Sequence, residues 1–177
     1  WVLTLPNRAA RLIYLNKTCF NGLYRVNKKG KFNVPIGRYK TPAILEEPKL
    51  RAASMALRGI NLKSMDFIEL SKYVEAGDFV YLDPPYQPLS STSNFTSYTK
   101  VLFDEAKQCE LAETCRFLSE RGALIMVSNS STRLIRDLYP PPMFRVTQIE
   151  ARRSINSKGN SRGLIPELVI TNYDLDN

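Results

Sequence analysis

The sequence predicts an α/β fold, an open sheet of short buried strands alternating with helices, with a small helical and β-hairpin appendage on its amino-terminal side. Three observations predict it. Phe79-Val80-Tyr81-Leu82 contains no polar residue to mark a solvent face, which is the pattern of a buried strand. The next residues, Asp83-Pro84-Pro85, stop that strand, because proline has no N–H to donate and a fixed φ. Strand-like and helical stretches then alternate as far as Tyr173, whereas residues 20–40 form a compact basic hairpin rich in aromatic residues.

In chain order, Ala9, Ala10, Leu12, Ile13 and Leu15 fall at helical spacing and predict a helix from about Pro6 to Thr18, with proline tolerated in the first turn. Leu23–Val26 and Lys31–Val34 read as strands joined through Asn27-Lys28-Lys29-Gly30, where glycine can take positive φ. From Tyr24 to Lys40 the segment holds Arg25, Lys28, Lys29, Lys31, Arg38 and Lys40 and no acid. A two-stranded ribbon of this kind fits a DNA major groove. Its lysines can neutralise phosphates and Arg25 can meet a guanine edge. A solvated hairpin is the plainer alternative.

Pro48 to Leu57 predicts a short helix, ended by Gly59. Ile60 to Met65 alternates and reads as a strand that delivers Asp66 and Phe67 to its end. Ile68 to Glu75 then reads as a short helix. This β-α-β step into Phe79–Leu82 would set Asp66 beside Asp83 at the carboxyl edge of the sheet, where ligands bind in open α/β folds. Asp66 could accept from an adenine amino group with Phe67 on the ring, or simply cap the helix with Phe67 in the core. Gln87 to Tyr98 is a hydroxyl-rich loop suited to covering a substrate or touching phosphates. Phe103 to Glu120 is a helix whose apolar face is Leu111, Ala112, Cys115 and Leu118. A buried strand at Ala123–Val127, a short helix at Thr132–Leu138 and a strand at Phe144–Ile149 follow. A basic loop spans Arg152 to Gly163, and Glu167 to Tyr173 is a closing strand.

Asp83-Pro84-Pro85-Tyr86 carries the chemistry. An exocyclic amine conjugated to a base is planar and a poor nucleophile. A carboxylate (Asp83) accepting one N–H and a backbone carbonyl (Pro84) accepting the other would draw the nitrogen towards a tetrahedral geometry, freeing its lone pair for a methyl donor in line. Tyr86 would stack on the base. The alternative is a strand-ending turn with a packing tyrosine.

Composition narrows the classes. The 177 residues suffice for one α/β domain with an appendage. A formal charge of +8 favours a polyanionic partner. The chain has no histidine, which removes His triads, His proton shuttles and His-ligated metals. Three cysteines, Cys19, Cys109 and Cys115, are odd in number and lack Cys-x-x-Cys spacing, so neither disulfides nor a zinc site is expected and a reducing, cytoplasmic setting fits. No apolar run is long enough to span a membrane.

Several motifs together resemble the Dam-type DNA adenine-N6 methyltransferases that modify GATC. They are Tyr14-Leu15-Asn16, Phe20-Asn21-Gly22-Leu23-Tyr24-Arg25, Phe32-Asn33-Val34-Pro35-Ile36-Gly37-Arg38-Tyr39-Lys40, Asp83-Pro84-Pro85-Tyr86, Asn94-Phe95-Thr96-Ser97-Tyr98, Ser128-Asn129 and Arg152-Arg153-Ser154-Ile155. The resemblance spans Arg11 to Tyr173 and implies a Rossmann-like methyltransferase sheet, S-adenosyl-L-methionine as donor, double-stranded DNA as partner and no metal. It implies that Asp83, Pro84, Pro85 and Tyr86 hold a flipped adenine, and that Asp83, Asp66 and Phe67 contribute to the donor pocket. Leu23, Arg25 and Pro35 would read bases, and Phe20 would enter the base stack where the family carries tyrosine. Asn21, Asn27, Asn33, Arg38 and Tyr39 would support the hairpin or touch the DNA backbone, as would Asn94, Arg152 and Arg153.

Residues 1–57 would form the target-recognition region and 58–177 the catalytic core. The family's Gly-rich donor loop has no counterpart here, since no Gly-x-Gly occurs. The expectation is therefore the carboxyl-terminal two-thirds of such an enzyme, with little activity by itself. The rival readings are a non-catalytic DNA-binding fragment and a methyltransferase of an amine in RNA or of a protein glutamine.

Overall fold

The computed structural model describes residues 4–27, 29–89, 103–152 and 164–174. Two compact units emerge, one of Trp1–Ser64 and one of Met65–Thr96 with Val101–Asn177.

The first unit contains helix α1 (Leu5–Thr18) and helix α2 (Glu47–Ala56). Proline near the start of each supplies a φ already suited to a helix. Between them the chain makes a single 3₁₀ turn at Phe20–Gly22 and then folds back, so that Ile36 bridges Cys19. Gly37 donates its N–H to the Thr18 carbonyl at 2.8 Å. A Cβ on Gly37 would lie 2.8 Å from the Cys19 carbonyl, so only glycine permits this approach. Glu46 then clamps the return: its carboxylate takes Lys17 Nζ at 2.5 Å and pairs with Lys49 as well.

The predicted two-stranded ribbon is not formed among the described residues of this unit. The turn exists, with Asn27 N–H to the Lys31 carbonyl at 2.8 Å, but Val26 and Phe32 make only an isolated bridge. The Asn27 side chain shapes the turn, its Oδ1 accepting from the backbone of Lys29 (2.9 Å) and Lys31 (3.1 Å). The backbone pairing reaches only as far as Asn33 N–H to the Arg25 carbonyl at 3.1 Å among the described residues.

The second unit is built on a four-stranded sheet in the order β1-β2-β4-β3. Strand β1 is Phe79–Leu82, β2 Leu124–Ser130, β3 Arg145–Arg152 and β4 Leu164–Thr171. β1 runs parallel to β2, with Leu82 opposite Val127, and β4 runs antiparallel to both β2 and β3. Helix α3 (Glu105–Glu120) lies between β1 and β2 in sequence, and helix α4 (Arg133–Leu138) between β2 and β3. Side-chain caps begin both helices: Asp104 accepts from Lys107 N–H and Thr132 from Ile135 N–H. Val80, Leu82, Ile125, Val127, Leu168 and Ile170 pack with Leu111, Ala112, Cys115 and Leu118 of α3 and Ile135 of α4 in one core. The predicted apolar face of α3 is the observed one.

Three expectations are corrected. Ile60–Met65 is not a strand: Ile60 and Leu62 lie exposed and no strand pairs with them among the described residues, so no β-α-β step from Asp66 into β1 is seen there. Ile68–Glu75 is replaced by a 3₁₀ segment, Phe67–Lys72. β1 is buried on one face only, because Val80 and Leu82 point into the core while Phe79 and Tyr81 are more than half exposed. β2 ends in Ser128-Asn129-Ser130, as expected, and its pairing with β4 sets Ser130 opposite Glu167.

Candidate active site

β1 delivers Asp83 to the carboxyl edge of the sheet, as its sequence requires. The extension of β2 sets Ser128 alongside. Ser128 Oγ donates to Asp83 Oδ1 at 2.8 Å, and the Tyr81 hydroxyl donates to Ser128 Oγ at 3.2 Å. One carboxylate oxygen is thereby oriented, while Oδ2 has no hydrogen bond among the described residues.

Tyr86 follows the Pro84-Pro85 turn and is partly buried. Its hydroxyl donates to Glu167 Oε2 of β4 at 3.4 Å. Burial, and then the carboxylates of Glu167 and Asp83, push the phenol upward against an opposing hydrogen bond with Ser128. Tyr86 therefore remains a neutral ring and a donor.

The turn is fastened from below. Gln108 of α3 donates Nε2 to the Pro85 carbonyl at 2.9 Å and accepts from Asn129 Nδ2 at 3.0 Å. Asn129 Oδ1 accepts from Gln87 N–H at 3.0 Å, and Ser130 Oγ donates to the Gln87 carbonyl at 2.5 Å. The side chains of Gln108, Asn129 and Ser130 are all buried. Sequence reasoning missed Gln108 and Glu167. The available signal for Gln108 was an amide standing in register with Leu111, Ala112, Cys115 and Leu118.

Asp66 caps the 3₁₀ segment, its Oδ1 accepting from Ile68 N–H at 3.2 Å. Phe67 packs on Phe103 with ring centroids 5.8 Å apart. Lys107, also unforeseen, sits 5.4 Å above the Phe67 ring and 3.8 Å from Asp66 Oδ2. Asp66 thus caps the segment and Phe67 packs against a second ring. Cys115 offers no nucleophile, since burial pushes its thiol up to about 12.

In the first unit, Asn33 holds Arg25. Nε donates to Asn33 Oδ1 at 2.9 Å and Nη2 to the Asn33 carbonyl at 3.0 Å, which leaves the end-on edge of the guanidinium outward. Phe20, Asn21, Asn27, Asn33, Pro35, Arg38 and Tyr39 are exposed and Leu23 is half-buried. Asn21 takes a left-handed φ of 53°, which asparagine tolerates. Asn94 and Arg153 lie outside the described residues, and Arg152 enters only through its backbone at the end of β3.

The arrangement defines a class, an α/β domain with a carboxylate oriented by a neighbouring hydroxyl and a partly buried aromatic ring at the carboxyl edge of its sheet. Comparison with known proteins gives the family. The profile of the D12 class N6 adenine-specific DNA methyltransferases matches residues 3–155, and the chain belongs to that family. It is 49% identical over 168 residues to the type II methyltransferase M.MjaIII of Methanocaldococcus jannaschii, covering 94% of this chain and 57% of that protein. It is 38% identical to the DNA adenine methylase of Escherichia coli K12, over 92% of this chain and 57% of the relative. The same identity relates it to the DNA N-6-adenine-methyltransferase of Escherichia phage P1, across 92% of this chain and 22% of that protein. The chain thus spans little more than half the length of the first two relatives.

Proposed function

We propose that this chain carries the base-recognition and amine-activating parts of an S-adenosyl-L-methionine-dependent DNA adenine-N6 methyltransferase acting on double-stranded DNA at GATC. The observation that carries the reading is Asp83, oriented by Ser128 and followed by Pro84-Pro85-Tyr86. The target amine is paired inside the duplex, so the adenine must leave the stack. Asp83 Oδ2 accepts one N–H of the flipped base and the Pro84 carbonyl the other, which removes the nitrogen's planarity. Tyr86 stacks on the ring and keeps water from that face.

Two carboxylates and an aromatic ring suit a donor that combines a sulfonium cation with an adenine. S-Adenosyl-L-methionine would be held by Asp83, Asp66 and Phe67, and it supplies the methyl group. Residues 1–57 read the site: Arg25 presents its free edge to guanine, Leu23 and Pro35 contact bases, and Phe20 fills the vacated stack. Asn21, Asn27, Asn33, Arg38 and Tyr39 support that surface or meet phosphates, with Asn94, Arg152 and Arg153 from residues 58–177, which perform the chemistry. A DNA substrate would suit a cytoplasmic setting.

Labelled methyl transfer to duplexes with and without GATC, by the chain joined to an upstream donor-binding segment of the family, tests this. Asp83→Ala is expected to lower transfer by about 10²–10³-fold, the scale of losing one preorganised electrostatic partner, with DNA affinity retained. Arg25→Ala is expected to cost about 1–3 kcal/mol of discrimination at one base pair. Donor and DNA binding with no transfer once that upstream segment is supplied would instead favour a non-catalytic DNA-binding module.

A further inference from the structure

We propose that Gln108 is a positioning residue for the amine-binding turn, acting with Asn129 of β2, to which it is hydrogen-bonded. The inference rests on the reading of Asp83–Tyr86 as the adenine pocket.

A wholly buried glutamine on an apolar helix face is costly unless both ends of its amide are satisfied. Here both are, and each partner leads to the turn. Nε2 holds the Pro85 carbonyl directly, and Oε1 fixes Asn129, which takes the Gln87 N–H. Ser130 secures the Gln87 carbonyl. The backbone is therefore gripped at Pro85 O, Gln87 N and Gln87 O, with Tyr86 between. Because the pyrrolidine ring fixes φ of Pro85, anchoring the Pro85 carbonyl also restricts where the Pro84 carbonyl can point. An apolar side chain of similar volume would fill the same space. What the amide adds is direction, for the acceptor that the amine meets and for the ring on which the base lies.

Gln108→Met keeps an unbranched side chain of comparable size and removes the donor; Gln108→Leu is the second variant. Two measurements on the chain as it stands read the effect. Amide exchange at Gln87 is expected to accelerate at least tenfold, while Val127 and Ile170 in the sheet stay unchanged. The affinity ratio for a duplex with one unpaired adenine over one with an unpaired cytosine is expected to fall at least fivefold, with affinity for a fully paired duplex unchanged within twofold. Unaltered Gln87 exchange and an unaltered ratio in a folded variant would overturn the proposal. So would a uniform acceleration across the sheet, or loss of folding in both variants, since each makes Gln108 a packing residue only. If the unsubstituted chain shows no preference for adenine, the pocket reading fails on its own account. In that case Gln87 exchange still decides whether Gln108 holds the turn.

Discussion

Between Thr4 and Ser64 the only buried side chain among the described residues is Cys19, whereas residues 65–174 enclose a continuous core from Val74 to Ile170. The first unit keeps its shape through short polar links: Gly37 against Thr18, Asn27 across its own turn, Asn33 on Arg25, and Glu46 between two lysines. The second buries apolar area behind β1, β2 and β4 and hangs the reactive groups on the edge of that frame. The contrast has a physical logic. A surface that meets DNA must keep its aromatic and basic side chains outward, so it cannot spend them on a core. A site that strips planarity from an amine needs acceptors fixed in place, and buried packing supplies that rigidity.

Substitutions can break this contrast in order of size. Leu118→Ala empties space in the core and is expected to destabilise the second unit by about 2–5 kcal/mol in urea denaturation. Leu5→Ala in α1, where the side chain is 75% exposed, is expected to change stability by no more than about 0.5 kcal/mol. Comparable losses from the two would erase the distinction.

Gly37→Ala is expected to cost about 1–3 kcal/mol, because the new methyl group meets the Cys19 carbonyl and the Tyr39 ring. Faster amide exchange confined to residues 18–37 would sharpen the comparison, and acceleration in β2 would contradict it.

The smallest effect is electrostatic. Hydrogen bonds from Lys17 and then Lys49 hold the Glu46 carboxyl at about 2, below its ordinary 4.5. A lowered folded pKa means the clamp contributes fully above about pH 4.5 and is lost as pH falls towards 2. Acid titration followed by amide exchange is expected to loosen the first unit across that window, and Glu46→Gln to remove this component.

Much of the second unit was legible because its signals are local and redundant. The face of α3 repeats at helical spacing, Asp104 and Thr132 stand where caps belong, and two prolines end β1 at Asp83. Ile60–Met65 misled because alternation shows only that a segment could have a buried face. A strand also needs a neighbour to pair with, and that information is not in the segment. The hairpin was overread in length for a related reason: the turn chemistry of Asn27 was visible, but not how few residues either side of it would find a backbone partner. Gln108 went unnoticed because a single amide on an apolar stripe looks like an interruption until its partners, 21 and 23 residues away, are known.

The sequence separations of the contacts carry one more consequence, for the order in which the molecule takes shape. Arg25 and Asn33 are 8 residues apart and Lys17 and Glu46 are 29 apart. By contrast, Asp83 and Ser128 are separated by 45 and Tyr86 and Glu167 by 81. Closing long loops is slow, and a chain leaving the ribosome folds from its amino end. The groups proposed to face DNA can settle while the ribosome is still at work, but the acid pocket has to wait for β4, the last strand in order among the described residues.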